Sequence, residues 1–197
     1  MDAGTGRAVC VYCASSRTSH PDYRAAAHRL GEVLAAEKLT VIYGGGAVGS
    51  MGALADGALA AGGRVVGILP RFMSDLEWGH PGLSELQLVE DMRTRKHMML
   101  TLSSAAIALP GGSGTLEELL EAITLKRLGL YLNPIVLVNT RGFFTPLLHV
   151  LDRAVEEHFM DPRHLAMWQV VDHADEVPGA LQSAPGWSAA ARSFAAV

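Results

Sequence analysis

Leu109-Pro-Gly-Gly-Ser-Gly-Thr-Leu-Glu-Glu118 is the segment from which the architecture of this chain can be read. An apolar run from Ala105 to Leu109 stops at Pro110, three glycines follow within four positions, and a helical pattern starts at Thr115. That order predicts a strand, a tight loop and a helix start. Such a turn aims several backbone N–H groups, and the positive end of a helix dipole, at one spot. Glycine suits the loop because a side chain would keep an anion away from those amides. The loop is a candidate phosphate cradle with carboxylates within one turn of it.

Apolar runs alternate with helical patterns almost throughout the chain, without an internal repeat. Strands are expected at Ala8–Tyr12, Thr40–Tyr43, Arg64–Ile68, Leu86–Val89, Ala105–Leu109, Pro134–Val138 and Trp168–Val171. Helices are expected at Pro21–Glu37, Ser50–Ala61, Met92–Leu102, Thr115–Leu128, Phe143–His158 and Ala174–Gln182. Several strands are apolar on both faces, as parallel strands covered on each side are. Alternating β and α elements predict an α/β fold, one doubly wound parallel sheet with helices on both faces. Ligands of such sheets sit beyond the carboxyl ends of the strands. Both glycine loops and the Tyr12–Ser16 turn follow strands, so all three should gather at that edge.

With 197 residues and 49% hydrophobic content the chain suits one domain, residues 1–197, with a full core. Residues 1–6 and about 184–197 are candidates for flexible ends, although Trp187 and Phe194 could dock the second on the body. A net charge of -4 and a mean hydropathy of +0.22 offer no global attraction to nucleic acid or to an anionic membrane. No apolar run approaches the roughly 20 residues of a membrane span. The N-terminus lacks a basic-then-apolar signal, so a cytoplasmic location is expected. Cys10 and Cys13 form C-x-x-C, but residues three apart on a strand face opposite ways, and no second pair completes a zinc site. Buried, reduced thiols are expected, and the eight histidines contain no close ligand pair.

Gly44-Gly-Gly-Ala-Val-Gly49 matches G-x-G-x-x-G by letter. It follows the second strand rather than the first, and Arg64 stands about 20 residues on, where an acid for a ribose hydroxyl belongs. A tight turn with close packing is the alternative reading. Asp91-Met-Arg-Thr-Arg-Lys-His97 puts three cations at the opening of a helix, with Asp91 as N-cap. Cations are disfavoured there by about 0.3–1 kcal/mol each, and a bound anion would offset that. Glu118 is open between two roles. Thr115-x-x-Glu118 fits a capping box, and a wheel with Leu116, Leu119, Leu120 and Ile123 buried places Glu118 opposite. It could equally be a catalytic carboxylate.

Together these segments resemble the Lonely Guy (LOG) family, phosphoribohydrolases that release cytokinin bases from nucleoside 5′-monophosphates. Pro110 through Glu118 meet the family pattern P-G-G-x-G-T-x-x-E without a gap, and Arg95-Lys96 meet its R-K pair. The likeness runs in order over about residues 8 to 172 and includes Gly44–Gly52 and Cys10–Ser16. It implies a Rossmann-like homodimer without metal or redox cofactor, acting on a small nucleotide. Arg95 and Glu118 are then the catalytic pair. Glu77, Lys96, Gly112, Ser113, Gly114, Thr115 and Thr124 are implied substrate contacts, with Leu116, Glu117, Gly45, Gly46 and Ser16 beside them. Three positions depart from the family: Arg93-Thr94 replaces His-Glu, Leu125-Lys126-Arg127 replaces a frequent Trp-Ala-Gln, and Ser104 replaces an aspartate. The base pocket can therefore differ, and which base is preferred is left open. An older label for such sequences, lysine decarboxylase, needs a pyridoxal lysine. Lys38, Lys96 and Lys126 have no such surroundings in the sequence. A non-catalytic nucleotide or cofactor carrier and a nicotinamide oxidoreductase are the rival readings.

Overall fold

The inner strands send alternate residues into two cores. Val9, Val41, Tyr43, Ile107 and Val136 enter one, and Cys10, Tyr12, Ile42, Ala106 and Leu137 enter the other. A strand buried on both sides needs helices on both faces, and this sheet has them. The computed structural model describes residues 7–74 and 79–195. The strands are β1 (Ala8–Tyr12), β2 (Thr40–Tyr43), β3 (Val65–Pro70), β4 (Glu85–Val89), β5 (Ala106–Ala108), β6 (Ile135–Val138) and β7 (Gln169–Val171). All pair in parallel, in the order β4-β3-β2-β1-β5-β6-β7.

Helices α1 (Pro21–Ala36) and α2 (Gly49–Ala60) share the first core with α7 (Val177–Ser183). The second core takes α4 (Met92–Thr101), α5 (Ser113–Arg127) and α6 (Thr145–Glu156). A four-residue α3 (Arg71–Ser74) continues from β3. The chain winds outward from β1 to β4, then returns through α4 to β5 on the other side of β1. The strand order therefore reverses between β1 and β5. At such a point the two following loops diverge and leave a crevice at the carboxyl edge of the sheet.

Pro21 and Asp91 act as the sequence predicts. Pro21 opens α1, and the Asp91 carboxylate accepts the Thr94 N–H at 2.7 Å. Cys10 and Cys13 are free and buried in opposite cores. Two helices differ from expectation. The segment expected as Phe143–His158 is preceded by a 3-10 turn at Thr140–Gly142, and the helix proper runs Thr145–Glu156 with Pro146 in its first turn. Similarly, Ala174–Glu176 is a 3-10 turn, and α7 follows with Pro178 in its first turn. Proline lacks the N–H a continuing helix needs, but a new helix tolerates it at its opening.

For the C-terminal stretch the structure shows the docked alternative. The Trp187 indole N–H donates to the Lys126 carbonyl at 2.8 Å, and Arg192 Nε donates to the Leu128 carbonyl at 3.1 Å. Phe194 lies edge-on to Trp187, with the Arg163 guanidinium 3.8 Å from its ring centre. Among the described residues no helix is long and apolar enough to cross a membrane.

Candidate active site

The crevice between the β1 and β5 loops is a cleft of about 360 Å³. The end that the sequence offers as a candidate phosphate cradle is built from α5. The helix starts at Ser113, two residues before the position the sequence suggests, with Gly112 as its N-cap and no side chain capping it. Its first internal bond runs from the Leu116 N–H to the Gly112 carbonyl at 3.0 Å. The amides of Ser113, Gly114 and Thr115 therefore point out of the helix end with no acceptor in the preceding turn. A Cβ on Gly112 or Gly114 would meet nothing within 4 Å, so both glycines front open space. Gly111 has a different task. A Cβ there would stand 2.1 Å from Thr115 Oγ1, so glycine lets the loop pass the buried threonine.

The early helix start changes the reading of Glu118. It falls in the sixth helical position, too deep for a capping box, and the cap alternative is withdrawn. The wheel is corrected as well. The buried face of α5 runs through Thr115, Glu118, Leu119, Ala122, Ile123 and Lys126, while Leu120 is exposed. Glu118 is 6% exposed and lines the cleft. Burial pushes its carboxyl up to about 7, and the Arg95 guanidinium pulls the other way.

Arg95 is held from three sides. Its Nε donates to the Ile68 carbonyl of β3 at 3.0 Å, and one Nη donates to the Gly44 carbonyl after β2 at 3.2 Å. The other Nη lies 3.8 Å from a Glu118 carboxylate oxygen. A Cβ on Gly44 would stand 1.9 Å from the guanidinium, so this glycine admits the arginine to its carbonyl. The second glycine loop is thus a seat for Arg95 and not a dinucleotide cradle. Gly45 and Gly46 are buried behind it, fastened by His80 N–H to the Gly45 carbonyl at 2.9 Å and Tyr43 O–H to the Gly46 carbonyl at 3.0 Å.

Other sequence-predicted residues fall in three groups. Ser16, Gly112, Ser113, Gly114, Thr115 and Glu117 line the cleft with Arg95 and Glu118. Lys96, Thr124, Leu116, Gly45 and Gly46 do not. Lys96 pairs with Glu117 and, at 3.0 Å, with Glu121. Thr124 is exposed farther along α5, and Leu116 packs on the second core. Glu77 lies outside the described residues. The helix-opening cations expected to await an anion are thus met partly by the protein's own carboxylates. Cys13, Ala14 and Ser15 also line the cleft, from the turn expected at this edge, as do Met51 and Met92, which were not singled out from the sequence. Their signal was positional, since each follows a strand or opens a helix at the switch-point edge. Burial pushes the Cys13 thiol up, so it sits there neutral. Among the described residues no lysine lines the cleft.

Residues 51–181 match a family model described as "Possible lysine decarboxylase". A probable cytokinin riboside 5′-monophosphate phosphoribohydrolase of Oryza sativa subsp. japonica is 43% identical over 161 residues, 81% of this chain and 66% of that protein. The chain thus spans just under two thirds of that relative's length. The cytokinin riboside 5′-monophosphate phosphoribohydrolase of Rhodococcoides fascians is 43% identical over 159 residues, 80% of each chain. Among solved structures, the molybdenum cofactor binding protein of Rippkaea orientalis superposes with a TM-score of 0.71 at 20% identity, covering 92% of this chain and 98% of the other. The molybdenum cofactor carrier protein of Chlamydomonas reinhardtii gives 0.69 at 19%, covering 89% and 96%. At those identities the likeness is one of fold. The sequence matches go further: the chain belongs to the Lonely Guy (LOG) family.

Proposed function

We propose that this protein hydrolyses the N-glycosidic bond of cytokinin riboside 5′-monophosphates, and of AMP, releasing the free base and ribose 5-phosphate. One observation carries the reading. A buried carboxyl that titrates near neutrality faces an arginine at one part of a cleft whose rim is a row of unpaired helix amides. Two of its relatives bear names that state this activity.

In this mechanism the 5′-phosphate rests on the Ser113–Thr115 amides, with Ser16 and Gly112 alongside. Binding energy from that remote group positions the reacting carbon, so monophosphates react in preference to free nucleosides. As the bond from C1′ to the base nitrogen breaks, its electron pair leaves with the base and the sugar ring becomes cationic. Ionised Glu118 stabilises that cation and accepts the proton of the water whose oxygen bonds to C1′; the departing base nitrogen takes up a proton from solvent, and Glu118 returns its own to solvent. Arg95 orients the substrate as a hydrogen-bond donor, since its own proton is too tightly held to be given up. A molybdenum cofactor carrier has no need of the Arg95–Glu118 pair.

The homodimer belongs to the same proposal. Leu102 at the end of α4, Leu120 on α5 and Leu128 at its end are exposed, and Thr124 shares that side of α5. A second copy covering these side chains would remove them from water. Thr124 lies outside its own cleft, so any substrate contact it makes is with a neighbour's. The free thiols of Cys10 and Cys13 suit a reducing compartment and support a cytoplasmic setting.

Incubation with AMP and with isopentenyladenosine monophosphate, followed by chromatographic separation of bases, tests the activity. Free base with equimolar ribose 5-phosphate is expected. Nucleotide binding without base release would overturn the hydrolase reading in favour of a carrier.

A further inference from the structure

The family resemblance implies that Lys96 contacts substrate, yet it points elsewhere. Adjacent residues on a helix diverge by about 100°. Arg95 turns inward to the β2 and β3 carbonyls, while Lys96 turns sideways to α5. There Glu117 and Glu121 are one turn apart, so a single ammonium reaches both. The Lys96 side chain is 17% exposed against 57% and 45% for its partners, so it is the sheltered member of the cluster.

We propose that Lys96 is a positioning residue: by bridging Glu117 and Glu121 it neutralises the carboxylates on either side of Glu118 and ties α4 to α5, keeping Arg95 opposite Glu118. This rests on the reading of Glu118 as the working carboxylate. The charged groups facing Glu118 are Arg95 and Lys96 from α4 and Glu117 and Glu121 from its own helix. From β1 and its following turn come only Cys10, Tyr12 and Cys13, all held neutral by burial. Without Lys96, two carboxylates would press on a third with one arginine to offset them. Glu118 would then keep its proton to higher pH and be a weaker acceptor for the water proton.

The test follows the Glu118 carboxyl carbon by NMR titration of the full chain, with kcat and KM alongside. Lys96→Met is expected to move the Glu118 midpoint upward by about half a pH unit or more. The same variant should lower kcat at neutral pH by about twofold or more with little change in KM, as the smaller ionised fraction implies. Adding Glu117→Gln and Glu121→Gln should return the midpoint, and Lys96→Arg should leave it in place. An unmoved midpoint in Lys96→Met, or a shift that the two glutamines fail to reverse, overturns the proposal. A large rise in KM with the midpoint unmoved assigns Lys96 to substrate instead. Because the titration needs no turnover, an inactive wild-type protein would count against the hydrolase reading and leave this one still decided by NMR.

Discussion

Helix α5 buries an ionisable side chain near each end, and the two ends are built to opposite purposes. Near its start Glu118 lines an open cleft, faces an arginine at 3.8 Å and lies one turn from unpaired amides. Near its end Lys126 is 2% exposed and sealed. Its ammonium donates to the Asn133 carbonyl at 2.7 Å and lies 5.9 Å from the Trp187 ring centre. Burial acts on both, pushing Glu118 up to about 7 and Lys126 down to about 8. Perturbed titration alone therefore does not distinguish a site from a scaffold. Access, an opposing charge and empty donors do, and only the Glu118 end has all three.

The comparison can be broken most severely by Glu118→Gln. It should leave the fold intact and cut turnover by roughly 100-fold or more, the scale of losing one preorganised group. Steady-state base release measures it, and near-normal turnover would make the two ends of α5 equivalent. Next in size, Gly112→Ala should fold normally because its Cβ meets open space, but crowd the phosphate. KM should rise by about tenfold, equivalent to about 1.4 kcal/mol of binding. The thermal stability of this variant should match the parent.

The pH dependence of stability sharpens the contrast further. Glu118 titrates at about 7 when folded against an ordinary 4.5, so the folded state holds the proton more tightly. Its contribution to stability is complete below about 4.5 and is lost as pH rises through about 7. Glu118→Gln should abolish that decline in urea titrations and gain on the order of 2 kcal/mol over the parent at pH 8. Lys126 works at the other side of neutrality. Its folded value of about 8 lies below the ordinary 10.5, so the unfolded chain binds the additional proton between them. Stability should rise with pH across that window, and Lys126→Met should flatten the rise while leaving kcat within about twofold of the parent.

The two ends were unequally legible in the sequence. The glycines after β5 and the proline before them disclose the loop, because only a tight turn into a helix uses that spacing. The inner strands were legible for a similar reason, since parallel strands buried twice read as plain apolar runs, while β4 at the edge alternates. Glu118 was half legible. A two-residue error in the start of α5 turned a buried carboxylate into a candidate cap, and helix boundaries are where local pattern is weakest. Burial of Lys126 was illegible. It depends on Trp187, 61 residues away in sequence, folding back onto the end of α5. The cations opening α4 looked ready for an anion, and only the close approach of β2 and β3 shows Arg95 Nε and one Nη taken by carbonyls, with the other Nη left facing Glu118.

The central claim is that phosphate sits on the α5 amides while Glu118 addresses the sugar. A crystal structure of the Glu118→Gln variant with isopentenyladenosine monophosphate tests it most directly. The account requires the phosphate within hydrogen-bond distance of the Ser113–Thr115 amides and C1′ beside the residue 118 carboxamide. A phosphate bound elsewhere, with that carboxamide remote from the ribose, would contradict it.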